Sequence, residues 1–229
     1  MAERTDILRA GQYFLGVQGL AMLRSMTTPS AAAPRCEEAR QIASAFDEFP
    51  NSLEIPLVEH GTEDGYTASR SYSVVSAPAD ELVELFVERI DDGEVSTFLA
   101  DVVEPGDDLE VRGPIGRWFV WSGLTPAVAV GGGSGVAPLV GMLRHARDLG
   151  HPARLRLAVS ATTRARLPYA GELEAAGATI ALTREPGSEY SGRLDAGVVA
   201  ALVDPGATVY LCGSARFTVG LETLLLDAG

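Results

Sequence analysis

Gly131-Gly132-Gly133-Ser134-Gly135-Val136-Ala137-Pro138 is the stretch on which the reading of this chain turns. The apolar run Ala127–Val130 leads into it, and an amphipathic segment, Val136–Leu149, leads out of it to a stop at Gly150. Strand, glycine turn and helix in that order make a phosphate cradle. Glycines let the backbone approach an anion, and the helix start offers unpaired N–H groups and the positive end of its dipole. Pro138 stands where the third glycine of G-x-G-x-x-G would fall. It is tolerated there, because in the first helical turn its missing N–H would have no partner anyway. No Gly-Lys-Ser/Thr follows, so the turn is not a P-loop. A tight turn that binds nothing is the competing reading, and four glycines within residues 131–135 at a strand–helix junction count against it. Gly132, Gly133, Ser134, Gly135 and Pro138 are therefore the candidates for holding the pyrophosphate of NAD(P)H.

Beyond this turn the period keeps alternating. Ala153–Ser160 reads as a strand, Tyr169–Ala176 as a helix and Thr179–Thr183 as a strand. Helix Leu194–Leu202, strand Thr208–Leu211 and helix Ala215–Asp227 follow. Four strand-then-helix units predict a parallel sheet covered on both faces. An NAD enzyme usually offers an acid at the end of the second strand to the ribose hydroxyls. Here that strand runs from Ser160 into Arg164 and Arg166 with no acid, which suits a 2′-phosphate and favours NADPH. A solvated arginine pair on a loop is the alternative.

Upstream the texture differs. Leu53–Val58, Tyr66–Val75, Glu81–Ile90 and Asp108–Gly113 read as short strands between Pro/Gly turns, with a helix over Val95–Val102. They suggest a small antiparallel barrel. Residues 1–60 show no evident strand series; a helix over Ile7–Ser25, a small-residue stretch Thr27–Pro34 and a helical patch Cys36–Phe46 are expected there. With Pro126 at the seam, the expected organisation is an atypical segment 1–60, a partial barrel 61–124 and a doubly wound α/β domain 125–229.

Composition narrows the function. All 18 basic residues are arginine, so Schiff-base lysine chemistry is excluded. A net charge of −13 argues against nucleic acid. Twelve acids fall between Asp80 and Glu110, and six arginines against the single acid Asp148 between Arg144 and Arg166. These are either two solvated faces of opposite sign or, for the second, a basic wall beside a phosphorylated cofactor. Two cysteines, Cys36 and Cys212, are too few for a Cys₄ cluster and fit a reducing, cytoplasmic compartment. His60, His145 and His151 lack metal-ligand spacing, so no metal site is expected. No apolar run reaches the ~20 residues of a membrane helix. Glu3, Asp6, Gln12 and Gln18 spoil a signal peptide over the first 26 residues.

Arg70-x-Tyr72-Ser73, Gly93-x-Val95-Ser96, Gly113-Pro114-x-Gly116, the Gly131–Pro138 turn and Cys212-Gly213-Ser214 occur in that order. As a set they resemble the ferredoxin–NADP⁺ reductase superfamily, an FAD-binding barrel followed by a nicotinamide-binding domain, over roughly residues 62–228. The resemblance implies that Arg70 pairs with the FAD pyrophosphate, that Tyr72 packs on the isoalloxazine or ribityl chain, and that Ser73 bonds near flavin N5. It implies that Gly93 and the N–H groups of Val95 and Ser96 hold further pyrophosphate oxygens. Cys212, with Gly213, would lie near the nicotinamide, which makes Ser73 and Cys212 the catalytic candidates; a small buried hydrophobe is the plainer reading of Cys212. Hydride then passes from NAD(P)H to the flavin and single electrons go to a separate protein, a ferredoxin or an oxygenase component, since no iron–sulfur domain is present. Two departures stand out. The strands expected before Arg70 are not evident, and the chain stops at Asp227-Ala228-Gly229 where the family continues with a further strand. Truncation at both ends is the expectation, and a homologue that retains only nicotinamide dinucleotide binding is the alternative function. A plain dehydrogenase is disfavoured, because a chain without lysine has no Tyr-x-x-x-Lys pair.

Overall fold

The structure is a computed structural model that describes residues 5–9, 13–16, 20–24, 52–58, 67–80, 83–115, 121–186, 190–204 and 206–227. It divides into two compact units, residues 1–120 and 121–229.

The first unit holds two antiparallel sheets. One has the order β1–β7–β4–β5, with β1 Thr5–Arg9, β4 Ser52–Val58, β5 Thr67–Ser73 and β7 Asp108–Ile115. The other has the order β2–β3–β6, with β2 Tyr13–Gly16, β3 Leu20–Arg24 and β6 Glu84–Glu88. A Val74–Leu85 bridge links the end of β5 to β6. Helix α1, Glu94–Asp101, closes the core. Its Val95 and Leu99 meet Ala68 of β5, Leu85 and Val87 of β6, and Val111 of β7 in one apolar cluster.

Three strands thus lie between Thr5 and Arg24, where the sequence reading expected a helix over Ile7–Ser25 and no strand series. Gly11, Gly16 and Gly19 cut that apolar run into pieces of no more than six residues, a length that suits strands and is too short for a helix. The stretch Thr27–Pro34 and the patch Cys36–Phe46 lie outside the described residues.

In the second unit five strands run parallel in the order β11–β10–β9–β8–β12. They are β8 Ala127–Gly132, β9 Leu155–Ala161, β10 Thr179–Leu182, β11 Tyr190–Ser191 and β12 Thr208–Cys212. The two-residue β11 has no counterpart in the sequence reading. Helices α2 Ala137–Asp148, α3 Ala170–Ala175, α4 Ala196–Ala200 and α5 Ala215–Asp227 connect or follow the strands. A 3₁₀ turn, Gly133–Val136, intervenes before α2, so the helix begins one residue later than periodicity suggested. Strand alternation sends the two end glycines of β8 to opposite faces. Gly131 looks toward Leu139 of α2 and Gly132 toward Phe217 of α5, so the two helices cover opposite sides of the sheet.

The whole net charge lies in the first unit. Residues 1–120 carry 22 acids against nine arginines, and residues 121–229 carry nine against nine. A nucleotide held by the second unit therefore gains nothing from net charge, and binding must come from particular backbone and side-chain groups. Among the described residues no helix is long and apolar enough to cross a membrane. None of their His, Cys, Asp and Glu residues form a group of three or more able to hold a metal ion.

Leu139 is fully buried beneath Gly131, with Cδ2 only 2.7 Å from where a Gly131 Cβ would stand. Leu139→Ala is expected to cost about 2–5 kcal/mol through transfer and cavity terms, read as a lowered denaturant midpoint for the unit 121–229 transition.

Candidate functional site

The second unit has its topological switch point between β8 and β12. Strands to one side of β8 are β9, β10 and β11, and β12 alone lies on the other. Ligands of open α/β sheets bind outside the carboxyl ends of the strands at such a point. There the register sets Cys212 beside Gly131.

Each glycine of the turn has its own reason. A Cβ on Gly135 would stand 2.5 Å from the carbonyl carbon and oxygen of Cys212 and 2.6 Å from Gly213 Cα. That is backbone against backbone, and neither side can yield. A Cβ on Gly132 would meet the Phe217 ring at 3.0–3.2 Å, and one on Gly213 would meet it at 2.8 Å. Gly132, Gly135 and Gly213 are thus packing glycines that bring β8, β12 and α5 together. Gly133 is different. Its φ is +61°, it is exposed, and nothing lies within 4 Å of a Cβ placed on it. Ser134, next to it, is exposed too. This pair of peptides forms the open rim of the turn. Pro138 is buried near the start of α2, in a first turn that no side chain caps. Missing from the sequence reading was Phe217, whose role no local pattern announces.

Cys212 is half-buried at the end of β12. Burial pushes its thiol above the ordinary range, offset in part by the Gly213 backbone. It is held as a neutral thiol and is not primed as a thiolate nucleophile. Ser160 is buried at the end of β9, in register with Gly132, away from the exposed arginines. Arg164 does not project freely. Its Nε and Nη2 donate to the two carboxylate oxygens of Glu174 at 2.6 and 2.8 Å. Arg166 is exposed and makes no ion pair among the described residues. In the neighbouring basic run, Arg144 and Arg147 share Glu172, and Arg156 pairs with Asp204. Much of the basic wall is thus internally neutralised.

In the first unit, alternation puts Arg70 and Tyr72 on one face of β5 and Ser73 on the other, at the strand's end. Arg70 is exposed, and its guanidinium donates to the Ser69 carbonyl at 2.6 Å. Among the described residues it has no carboxylate partner. Tyr72 is half-buried against the apolar cluster. Burial pushes its phenol up and Arg70 nearby pulls it partly back, so it remains protonated, a hydrogen-bond donor, at neutral pH. Helix α1 packs against β5 and β6, and no side chain caps its start. The Ser96 hydroxyl is spent on the loop, accepting from Ile90 N–H and donating to the Gly93 carbonyl, both at 3.2 Å. A Cβ on Gly93 would strike that hydroxyl at 2.5 Å. The Val95 side chain is core. Gly93, Val95 and Ser96 can therefore offer an anion only backbone N–H groups. An exposed cation, a protonated phenol and an uncapped helix start on packed elements fit a dinucleotide pyrophosphate and its aromatic ring.

Gly135→Ala is expected to destabilise by at least about 1–3 kcal/mol, as overpacking against backbone. Gly133→Ala should cost only about 1–2 kcal/mol, from the positive φ. Denaturant melts of the two variants should rank them in that order, and the reverse order would contradict the packing described.

The family model described as "Oxidoreductase FAD-binding domain" matches residues 55–120. The reductase component of propane 2-monooxygenase from Mycolicibacterium goodii is 32% identical over 115 residues, covering 49% of this chain and 32% of that protein. The chain spans between about a fifth and a little over half of the length of the curated relatives it matches. Among solved structures, the flavohem-like FAD/NAD binding domain of nitric oxide dioxygenase from Vibrio cholerae superposes with a TM-score of 0.74. It is 17% identical and covers 97% of this chain and 93% of that one. A ferredoxin NADP⁺ reductase from Neisseria gonorrhoeae, with bound FAD and NADP, gives 0.71 at 19% identity, covering 98% and 92%. Residues 55–120 thus match an FAD-binding oxidoreductase domain, and the chain shares the fold of these FAD- and nicotinamide-binding reductases, with the Arg70-x-Tyr72-Ser73 strand, the uncapped α1 and the glycine turn following one another along it.

Proposed function

We propose that this chain is an FAD-dependent reductase that draws reducing equivalents from NAD(P)H and passes electrons to a separate acceptor, a ferredoxin-like protein or an oxygenase component. The observation that carries the reading is the open Gly133–Ser134 rim at the β8/β12 switch point, in a chain whose residues 55–120 match an FAD-binding domain. The M. goodii relative bears the name of a monooxygenase reductase component, which supports an oxygenase component as the acceptor. When bound, FAD would supply the chemistry of accepting one hydride, two electrons and a proton, and of giving up those electrons singly.

The chain's own residues bind and orient. In this reading residues 61–124 hold the flavin. Arg70 gives the pyrophosphate a planar two-donor contact, and the first N–H groups of α1, at Val95 and Ser96, take further oxygens. Tyr72 supplies a flat apolar face with a hydroxyl that stays protonated. Ser73, at the end of the same strand, is the hydroxyl placed to bond the ring edge. Residues 125–229 hold the nicotinamide dinucleotide. Gly133 and Ser134 present backbone N–H groups to its pyrophosphate, and the half-buried Cys212 thiol forms an apolar, uncharged wall near its reactive ring. A neutral thiol there excludes water without competing as a nucleophile.

The purified chain, reconstituted with FAD, should show a flavin absorption spectrum that bleaches when NADH or NADPH is added anaerobically. A protein that binds nicotinamide nucleotide yet takes up no flavin would reduce the reading to nucleotide binding alone. Arg70→Ala should weaken FAD binding by about tenfold or more, the loss of a charge-assisted contact worth roughly 1.5–3 kcal/mol, with the fold unchanged by circular dichroism. Unaltered FAD affinity in this variant would remove Arg70 from the site.

A further inference from the structure

At the carboxyl end of β9, charges are arranged in the opposite sense to the one the local sequence suggests. Arg164 stands where a guanidinium would receive a 2′-phosphate, but its Nε and Nη2 edge is taken by Glu174 in a bidentate pair. The strand ends of β9 and β10 continue side by side past the sheet. Thr183 N–H donates to the Ala161 carbonyl at 2.9 Å and Arg184 N–H to that of Thr162 at 2.8 Å. This carries Glu185 across to β9, where its Oε2 accepts from the Arg164 backbone N–H at 2.7 Å. A carboxylate thus reaches the place where NAD enzymes keep an acid for the ribose hydroxyls, delivered from the third strand in place of the second.

We infer that Glu174, acting through Arg164, and Glu185, acting directly, set this site to the cofactor without a 2′-phosphate, NADH. The inference rests on the nicotinamide-binding reading above. A 2′-phosphate would have to share the Arg164 charge with Glu174 and would stand beside the Glu185 carboxylate. A free ribose hydroxyl needs no share of that charge and can donate to Glu185. Arg166 and Arg184 extend from the same strand ends and are exposed. As single solvated charges they give weak attraction to any phosphorylated ligand, without a bidentate lock. Glu174 is a positioning residue in this scheme, because it works only by holding Arg164.

Isothermal calorimetry of the full chain reconstituted with FAD, using NAD⁺ and NADP⁺ as probes, tests this. The native chain should bind NAD⁺ at least about tenfold more tightly. Glu174→Gln should strengthen NADP⁺ binding fivefold or more while NAD⁺ stays within twofold, a change of ratio that general loss of structure cannot produce. In an Arg164→Ala background the same substitution should give no such gain. Glu185→Gln should independently move the ratio toward NADP⁺. NADP⁺ bound as tightly as NAD⁺ by the native chain would overturn the inference while leaving the nucleotide site standing. So would a Glu174→Gln gain that persists without Arg164. Failure of both nucleotides to bind would instead bring down the nicotinamide reading itself.

Discussion

The close approach of Gly135 to the Cys212–Gly213 backbone is the constraint on which the second unit depends. A side-chain carbon at Gly135 would lie 2.5 Å from the Cys212 carbonyl group, nearer than any non-bonded contact allows. Only a hydrogen there lets the turn after β8 fold against the end of β12. That contact sets β12 beside β8 in parallel register and creates the switch point. Leu139 on one face and Phe217 on the other then fill the space that Gly131 and Gly132 leave empty. The open rim at Gly133–Ser134 is what remains when the other glycines are consumed by packing.

The first unit solves a related problem by different means. Its candidate anion-binding groups are a strand arginine, a half-buried tyrosine and a helix start without a side-chain cap. The Ser96 hydroxyl fastens the loop before α1, and Gly93 is glycine because that hydroxyl fills the space a Cβ would need. This unit also carries all of the net negative charge. An anionic cofactor held here would be bound against the prevailing field, which places the weight on directed groups such as Arg70.

Much of this was legible in the order of residues. The parallel sheet of the second unit followed from strand–helix alternation, and β5, α1 and β7 of the first from β-branched runs and Pro/Gly stops, because these signals are local. Where the local signal was ambiguous the reading went astray. The apolar residues between Ile7 and Ser25 suggested a helix, but β1, β2 and β3 form because glycines divide the run and antiparallel partners from β6 and β7 are available to it. Strand pairing between residues a hundred positions apart leaves no mark in either segment alone.

The sequence by itself determined that a glycine turn opens a helix at the head of a parallel sheet, that Arg70 and Tyr72 share one strand face, and that none of its candidate residues is a lysine. Those conclusions follow from composition and from periods of two and about 3.6, which any short window displays. Only the tertiary structure decided which glycines pack and which one stays open, that Cys212 is a half-buried neutral thiol, and that Arg164 is held by Glu174 with Glu185 beside it. The reason is physical. A close approach or an ion pair needs two partners, and partners such as Gly135 and Cys212, or Arg164 and Glu185, are distant in the chain and joined by the folding of the sheet.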